Sequence, residues 1–192
     1  MKQGQVMDLG LPNGMEMFNN GDSFAITRRW FSLSTIFLTV FAVFWDGFLA
    51  CFYIMLATPN TNPSVFLFPL IHVAIGVGLT YYALAGYINK THIYVDHSTI
   101  SIRHAPLPSF GNKTIDASDI KQVYVKRHVS HSRRGTSVTF QVCALTHSEK
   151  NLKLLSGLSS DEQALFVEQE IEKFLRIENV PVRGEMGQPS GW

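Results

Sequence analysis

The chain has 192 residues, 46% of them hydrophobic and 16% charged, with a net charge of +1 and two cysteines. That length suits one ordinary domain or at most two, and the composition excludes a disordered chain, a disulfide scaffold and a strongly basic nucleic-acid binder. The average conceals a partition: between Phe31 and Asn89 the one Asp, Glu, Lys or Arg is Asp46.

Residues 1–14 read as a flexible N-terminus and residues 15–29 as a β-hairpin. Asn20-Gly21 is a favoured two-residue turn. Centred there, the turn sets Met17 opposite Phe24 and Met15 opposite Ile26, so that one face is apolar.

Two transmembrane helices are predicted next, over 30–56 and 65–88. Each apolar run is long enough to cross about 30 Å of hydrocarbon, which takes roughly 20 residues. Neither keeps the polar stripe that a core helix of a soluble protein shows. Residues 57–64, with Pro59, Pro63, Asn60 and Asn62, break the first helix and form an external loop. Arg28 and Arg29 precede the first span and Lys90 follows the second, while the connector carries no charge. The positive-inside bias therefore puts both termini in the cytoplasm. Trp30, Tyr53, Tyr81, Tyr82 and Tyr87 fall towards the span ends, as interfacial aromatics do. Thr27-Arg28-Arg29-Trp30-Phe31 and Leu49-Ala50-Cys51 also suggest an export signal. The apolar run outlasts that cleavage point, through Phe52 to Leu56, and Asp46 interrupts it, so a retained span is the better reading.

Asp46 and His72 fall at similar depths in an antiparallel pair of spans, roughly 10–15 Å from the outer ends at 1.5 Å per residue. An ionisable group at that depth must be paired, neutralised or turned towards protein. An Asp46–His72 pair serves either as a structural hydrogen bond or, in an oligomer, as an ion or proton site; the other reading is a protonated Asp46 in a local turn with Trp45 and Gly47. Ala74 with Gly78, and Gly47 with Ala50, are small-residue steps that permit close helix approach.

Past Ile88 the apolar period changes to two. Strands are predicted through Ile93 and Val95, through Ile100 and Ile102, over 113–116, 120–129 and 135–146, and over 151–155. Short antiparallel strands at this spacing make a sandwich or half-open barrel. A closing helix starts at Ser159-Ser160-Asp161-Glu162, read as a capping box, and carries the stripe Ala164, Val167, Ile171, Phe174 and Leu175. Residues 179–192 turn to Gly, Pro and Ser and read as a disordered tail.

The fold class expected is an α+β membrane protein: a two-helix transmembrane hairpin inserted in, or preceding, an antiparallel β-domain capped by one C-terminal helix. In this order the chain resembles uncharacterised bacterial membrane proteins that carry a pleckstrin-homology-like (PH-like) domain. The residues that carry the resemblance are Arg28-Arg29-Trp30-Phe31, Trp45-Asp46-Gly47-Phe48, Pro106-Leu107-Pro108, Asp119-Ile120-Lys121-Gln122, Ser132-Arg133-Arg134-Gly135-Thr136 and Leu154-Leu155-Ser156-Gly157-Leu158. The resemblance spans roughly residues 15–183 and implies a cytoplasmic PH-like domain over 89–178 beneath a bacterial inner membrane. Some such proteins also carry an N-terminal zinc ribbon; no Cys precedes Cys51 here, so no metal is implied from that source.

The densest polar constellation is Lys126-Arg127-His128-Val129-Ser130-His131-Ser132-Arg133-Arg134-Gly135. Lys126, Arg127, His131, Arg133 and Arg134 could hold an anionic headgroup or a protein partner, at about 1 kcal/mol per basic residue near a charged bilayer. The bland reading is a solvated hairpin tip. His128 and His131 have metal-like spacing on a strand rather than a helix, and no metal or other cofactor is expected. Cys51 and Cys143 fall in different segments and suit a reducing compartment. No phosphate loop, nucleophile elbow or paired-carboxylate pattern is present, so catalysis is not expected. The partners implied are the lipid bilayer and either a protein or a second copy of the chain, with no nucleic acid. The function expected is a membrane-anchored binding or scaffold module. The alternative is a small oligomeric ion- or proton-coupled transporter built on Asp46 and His72.

Overall fold

A computed structural model describes residues 10–57, 62–67, 69–132, 135–180, 182 and 184–186. The chain divides into two compact units. One comprises its residues up to 28, 91–104 and from 109 onward; the other comprises Arg29–Lys90 and Ala105–Pro108.

The first unit is α+β. β1 (Met15–Asn19) and β2 (Ser23–Arg29) form a hairpin, followed further along the chain by β3 (Lys90–Asp96), β4 (Thr99–Ala105) and β5 (Lys113–Asp116). These five make one sheet in chain order, and β6 (Ile120–Ser132), β7 (Gly135–Thr146) and β8 (Asn151–Leu158) make a second. A single helix, α3 (Asp161–Leu175), closes the unit. β2 and β3 are neighbours in the sheet, although residues 30–89 lie between them in the chain. The helical segment is therefore an insertion between two adjacent strands, and the N-terminal hairpin is part of the β-domain.

Period-two alternation produces these strands and also their core. Along β3, Thr91, Ile93 and Val95 are buried while His92 and Tyr94 face out. Phe24 and Ile26 from β2, Ile100 and Ile102 from β4, Val123 and Val125 from β6, Val142 and Ala144 from β7, and Leu158 from β8 meet Val167 and Ile171 of α3. Each large apolar side chain moved from water to this core contributes about 1.5–3 kcal/mol before entropy is counted.

The hairpin register differs from that expected. Met15 pairs with Arg28, Met17 with Ile26 and Asn19 with Phe24, a shift of two residues. The turn is centred on Gly21-Asp22, and Asn20 N–H donates to Ser23 O at 3.1 Å. Gly21 has φ +92°, at the first central position, where a II′ turn takes Gly. A shift of two preserves side-chain parity, so Met15, Phe24 and Ile26 still face the core.

At α3 the expected capping box does not form. Ser160 is the N-cap but its side chain caps nothing. Three residues on, Gln163 turns elsewhere: its Nε2 donates to Asn13 O at 2.8 Å and its Oε1 accepts from Arg28 Nε at 3.2 Å. Beyond α3, part of the expected tail is placed against the domain, with Met186 packed on the core and its N–H donating to Val125 O at 2.8 Å.

The second unit is a helix pair. α1 (Leu33–Leu56) matches the first apolar run. The second run is interrupted: residues Pro63–Leu67 form a 3-10 turn and α2 (Leu70–Ile88) starts after Pro69. Proline lacks an N–H and clashes with the preceding turn, so one continuous helix from 65 is not made. Thr35, Ala42 and Leu49 are buried at steps of seven on α1, and Gly76 and Ala83 on α2. Gly86 lies against Thr35, where an added Cβ would come within 2.6 Å of Cγ2. Close approach therefore uses Gly76, Ala83 and Gly86 rather than the Ala74–Gly78 step, since Ala74 is exposed and Gly78 has open space where a Cβ would be.

Both helices are long and apolar enough to cross a membrane. Only 17% of the apolar window in α1 and 12% in the α2 segment is buried within the chain, whereas the core helix of a soluble protein is mostly buried. Residues Ala105–Pro108, the β4–β5 loop, belong with this unit.

Candidate functional site

β6 and β7 pair over their whole lengths, from Ile120–Thr146 to Ser132–Gly135. β8 accompanies β7 only as far as Phe140, opposite Leu158. Beyond that point the hairpin is a two-stranded ribbon with no neighbouring strand on either edge among the described residues. Arg133 and Arg134 lie outside the described residues.

The basic run does not make one patch, because successive strand residues point to opposite faces. Arg127, Val129 and His131 continue the face of Val123 and Val125. Lys126 and His128 continue the face of Tyr124, opposite. All of residues 126–131 are exposed. His131 Nδ1 lies 3.1 Å from Thr136 Oγ1 across the hairpin. His128 and His131 sit on opposite faces and do not converge.

Residues distant in sequence join the Lys126 face. Lys113, Lys126 and Lys153 all bear electrostatically on the Cys143 thiol. Lys113 Nζ donates to Lys153 O at 2.5 Å. Burial first, and then the neighbouring Lys153, pushes the Lys113 ammonium below its usual value. Burial pushes the Cys143 thiol up, against the opposing effect of the three lysines and the neighbouring Tyr124 side chain. The Tyr124 hydroxyl donates its proton to Asn151 Oδ1 at 2.8 Å. Lys126 and Lys153 thus share the outward face of the second sheet, and Lys113, on β5 of the first sheet, reaches the Lys153 backbone. Lys113 and Lys153 were not singled out from sequence, where each is one lysine in a polar strand; the register that pairs Lys153 with Cys143 is the signal that could have found Lys153, whereas Lys113 pairs with Ile102 of β4.

Asp46 has a partner on α2 that the sequence did not single out. Thr80 Oγ1 donates to Asp46 Oδ2 at 2.6 Å, joining α1 to α2. Gly76 makes room for the carboxylate: a Cβ there would collide with Asp46 Oδ1. His72 lies one turn earlier on α2, stacked on Trp45 at 6.0 Å, and its carbonyl accepts from Trp45 Nε1 at 3.1 Å. The two residues thus belong to consecutive interhelical contacts, Asp46 with Thr80 and His72 with Trp45. Asp46, Tyr53, Val73, Val77, Thr80 and Tyr81 also line an open groove of about 450 Å³. Chemically, the arrangement is a helix-to-helix lock with a single carboxylate at its centre.

The three residues expected to set orientation also separate. Arg28 is drawn into the β-domain, where Nε donates to Gln163 and Nη2 donates to Gly157 O at 3.3 Å. Arg29 is the last residue of β2 and Lys90 the first of β3. Between them Trp30 N–H donates to Asn89 O at 3.2 Å.

Sequence reasoning passed over one buried polar cluster altogether. Glu168 and Glu172 on α3 are 4% and 6% exposed. Glu168 faces the Val125 backbone and Glu172 that of Val123. Gln122 Nε2 donates to Glu172 Oε1 at 2.5 Å. Burial, reinforced by neighbouring carboxylates, pushes Glu168 up to about 8 and Glu172 up to about 7. The available signal was positional: residues 168 and 172 are four apart and interleave with Ala164, Val167 and Ile171 on the inward stripe.

No family model matches the chain, and no curated protein matches it.

Proposed function

We propose that this chain is a membrane-anchored binding module with a PH-like cytoplasmic domain, using its basic β6–β7 hairpin to engage anionic lipid headgroups at the inner face of a bacterial cytoplasmic membrane. The observation that carries the reading is the two-stranded ribbon beyond Phe140, with Lys126 exposed on one face and Arg127 on the other. Cations on an extended, solvated ribbon can follow a charged surface at little desolvation cost, and each contributes about 1 kcal/mol beside an anionic bilayer. Two sheets closed by one C-terminal helix support the PH-like assignment. The low burial of α1 and α2 within the chain supports insertion into lipid. Insertion of that helix pair between adjacent strands would keep the β-domain at the membrane surface through two very short connections, residues 30–32 and 89.

The test uses full-length protein in nanodiscs of neutral or of partly anionic lipid. A spin label at Ser130, introduced as Ser130→Cys in a background lacking Cys51 and Cys143, reports the position of the ribbon. Anionic lipid should lower the label's accessibility to a water-soluble relaxer, and Lys126→Glu with Arg127→Glu should abolish that change. Equal accessibility in both lipids would refute the lipid reading and leave the ribbon as a surface for a protein partner.

A further inference from the structure

The segment joining β4 to β5, residues 106–112, contains no Asp, Glu, Lys or Arg and carries Pro106, Leu107, Pro108 and Phe110. Phe110 is 95% exposed, more than any described large apolar side chain of α1 or α2, the most open of which is Leu33 at 82%. A single exposed phenylalanine is ordinary on a protein surface. What sets this one apart is how its loop is held.

One leg is tied along α2. Asn89 fixes both backbone groups of Leu107, and the Tyr81 hydroxyl donates to Pro108 O. Tyr81 stands eight residues before Asn89, about 12 Å of rise back along the helix. A tyrosine ring is shorter than that rise, so Pro108 lies beside the last turns of α2 and not beyond its end. The other leg is fixed within the β-domain. Asn112 Oδ1 accepts from His104 N–H at 2.7 Å, and Gly111 turns the chain at φ +104°, a conformation that favours Gly. Phe110 thus stands out from a loop pinned on both sides, two residues and at most about 7 Å of chain from Pro108.

We propose that Phe110 is a membrane wedge, which the β4–β5 loop lays into the headgroup–acyl boundary of the bilayer that α1 and α2 cross. The inference rests on the membrane reading of that helix pair and not on the basic ribbon. Backbone groups that enter lipid must be satisfied by the protein, and this loop meets that demand where it runs along α2. Pro106 and Pro108 have no N–H to satisfy, Leu107 has both its groups bonded to Asn89, and Pro108 O is bonded to Tyr81. A loop in water has no need of such pairing, since solvent supplies it. Tyr81, Tyr82 and Tyr87 lie on the same last turns of α2, the place where the aromatic side chains of a span meet the interface. Phe110 extends that girdle from a second element of the chain.

The test uses full-length protein in nanodiscs of neutral phosphatidylcholine, where the basic ribbon has no anionic lipid to engage. A spin label at Ser109, introduced as Ser109→Cys in a background lacking Cys51 and Cys143, reports the depth of the loop with Phe110 intact. The label should be accessible to oxygen and shielded from a water-soluble nickel chelate. Burying a phenylalanine side chain is worth about tenfold or more in an equilibrium constant, so Phe110→Asp should raise access to the chelate by at least about threefold. Phe110→Leu should keep the shielding. Neither change touches the core, because Phe110 is almost fully exposed. A second label in place of Phe44, on the exposed face of α1, reports the helix pair itself. Shielding at 44 with a label at 109 that Phe110→Asp leaves unchanged would overturn the wedge and leave Phe110 as a contact for a protein partner. Chelate access at both sites would overturn the membrane reading and the wedge with it.

Discussion

Asn89 grips the backbone of Leu107 with both ends of its carboxamide: Nδ2 donates to Leu107 O at 3.1 Å, and Oδ1 accepts from Leu107 N at 2.7 Å. Asn89 is the C-cap of α2 and 1% exposed, and the Tyr81 hydroxyl donates to Pro108 O one residue beyond Leu107. The Pro106-Leu107-Pro108 segment, conspicuous in sequence, is thereby fastened to the helix pair. An unsatisfied buried backbone group costs about 1–3 kcal/mol, and Leu107 is half-buried, so Asn89→Ala should cost about 1–2 kcal/mol. Asn89→Asp should be worse at neutral pH, because a carboxylate would face Leu107 O without a proton to offer. Thermal unfolding in detergent checks the order; an Asp variant as stable as wild type at neutral pH would contradict it.

The contact of Asp46 with Thr80 predicts a ranking among the glycines of the helix pair. Gly76→Ala should displace the carboxylate and lower the unfolding temperature, whereas Gly78→Ala and Gly47→Ala meet open space. Thr80→Val removes the hydroxyl donor and should cost about 0.5–1.5 kcal/mol, the range of interhelical hydrogen bonds in membranes. Asp46→Asn should cost less, since its side-chain oxygen can still accept from Thr80. Thermal melts of the five variants in one detergent test this, and equal melting of the Gly76 and Gly78 variants would refute it.

What could be read from sequence was whatever repeats. Alternation placed β7 to the residue, and the uncharged runs located α1. Single residues decided the rest. The turn centred on Gly21-Asp22 instead of Asn20-Gly21, moving the register without moving the apolar face. Pro69 split the second run. Thr80, an unremarkable hydroxyl in a span, donates to the Asp46 carboxylate, a contact that charge and depth alone do not suggest. Glu168 and Glu172 escaped notice because acids on a helix normally face water, and burial against a strand edge is a tertiary fact that helical periodicity does not report.

Asp96 predicts an acid-sensitive turn between β3 and β4. Its Oδ1 accepts from Ser98 N, Ser98 Oγ and Thr99 N, each at 2.7 Å, and its Oδ2 accepts from Thr99 Oγ1 at 3.1 Å. These bonds, that of the Ser98 side chain foremost, hold the carboxyl at about 2, below its ordinary 3.8. A depressed acid stabilises the folded turn above its unfolded value, so this contribution is complete above 3.8 and disappears as pH falls through about 2. Carboxyl chemical shifts should titrate with a midpoint near the lower figure; a midpoint at 3.8 would show that the turn does not hold the charge.

The adjacency of β2 and β3 predicts that the β-domain can be separated from its helices, but only along one cut. Residues 89–183 alone lack β1 and β2 and leave the core without Phe24 and Ile26, which are 1% and 0% exposed. Losing one large core side chain typically costs about 2–5 kcal/mol, against about 5–15 kcal/mol for a whole domain, so this fragment should not fold. Replacing residues 30–89 by a short glycine-containing turn instead keeps all eight strands and α3. Arg29 and Lys90 already end and begin neighbouring strands, and Trp30 N–H already donates to Asn89 O between them. That excised chain should be monomeric in detergent-free buffer, with dispersed amide resonances and a cooperative melt. The fragment from residue 89 should instead aggregate or show the narrow dispersion of an unfolded chain. A well-folded 89–183 fragment would mean that the N-terminal hairpin is dispensable to the sheet.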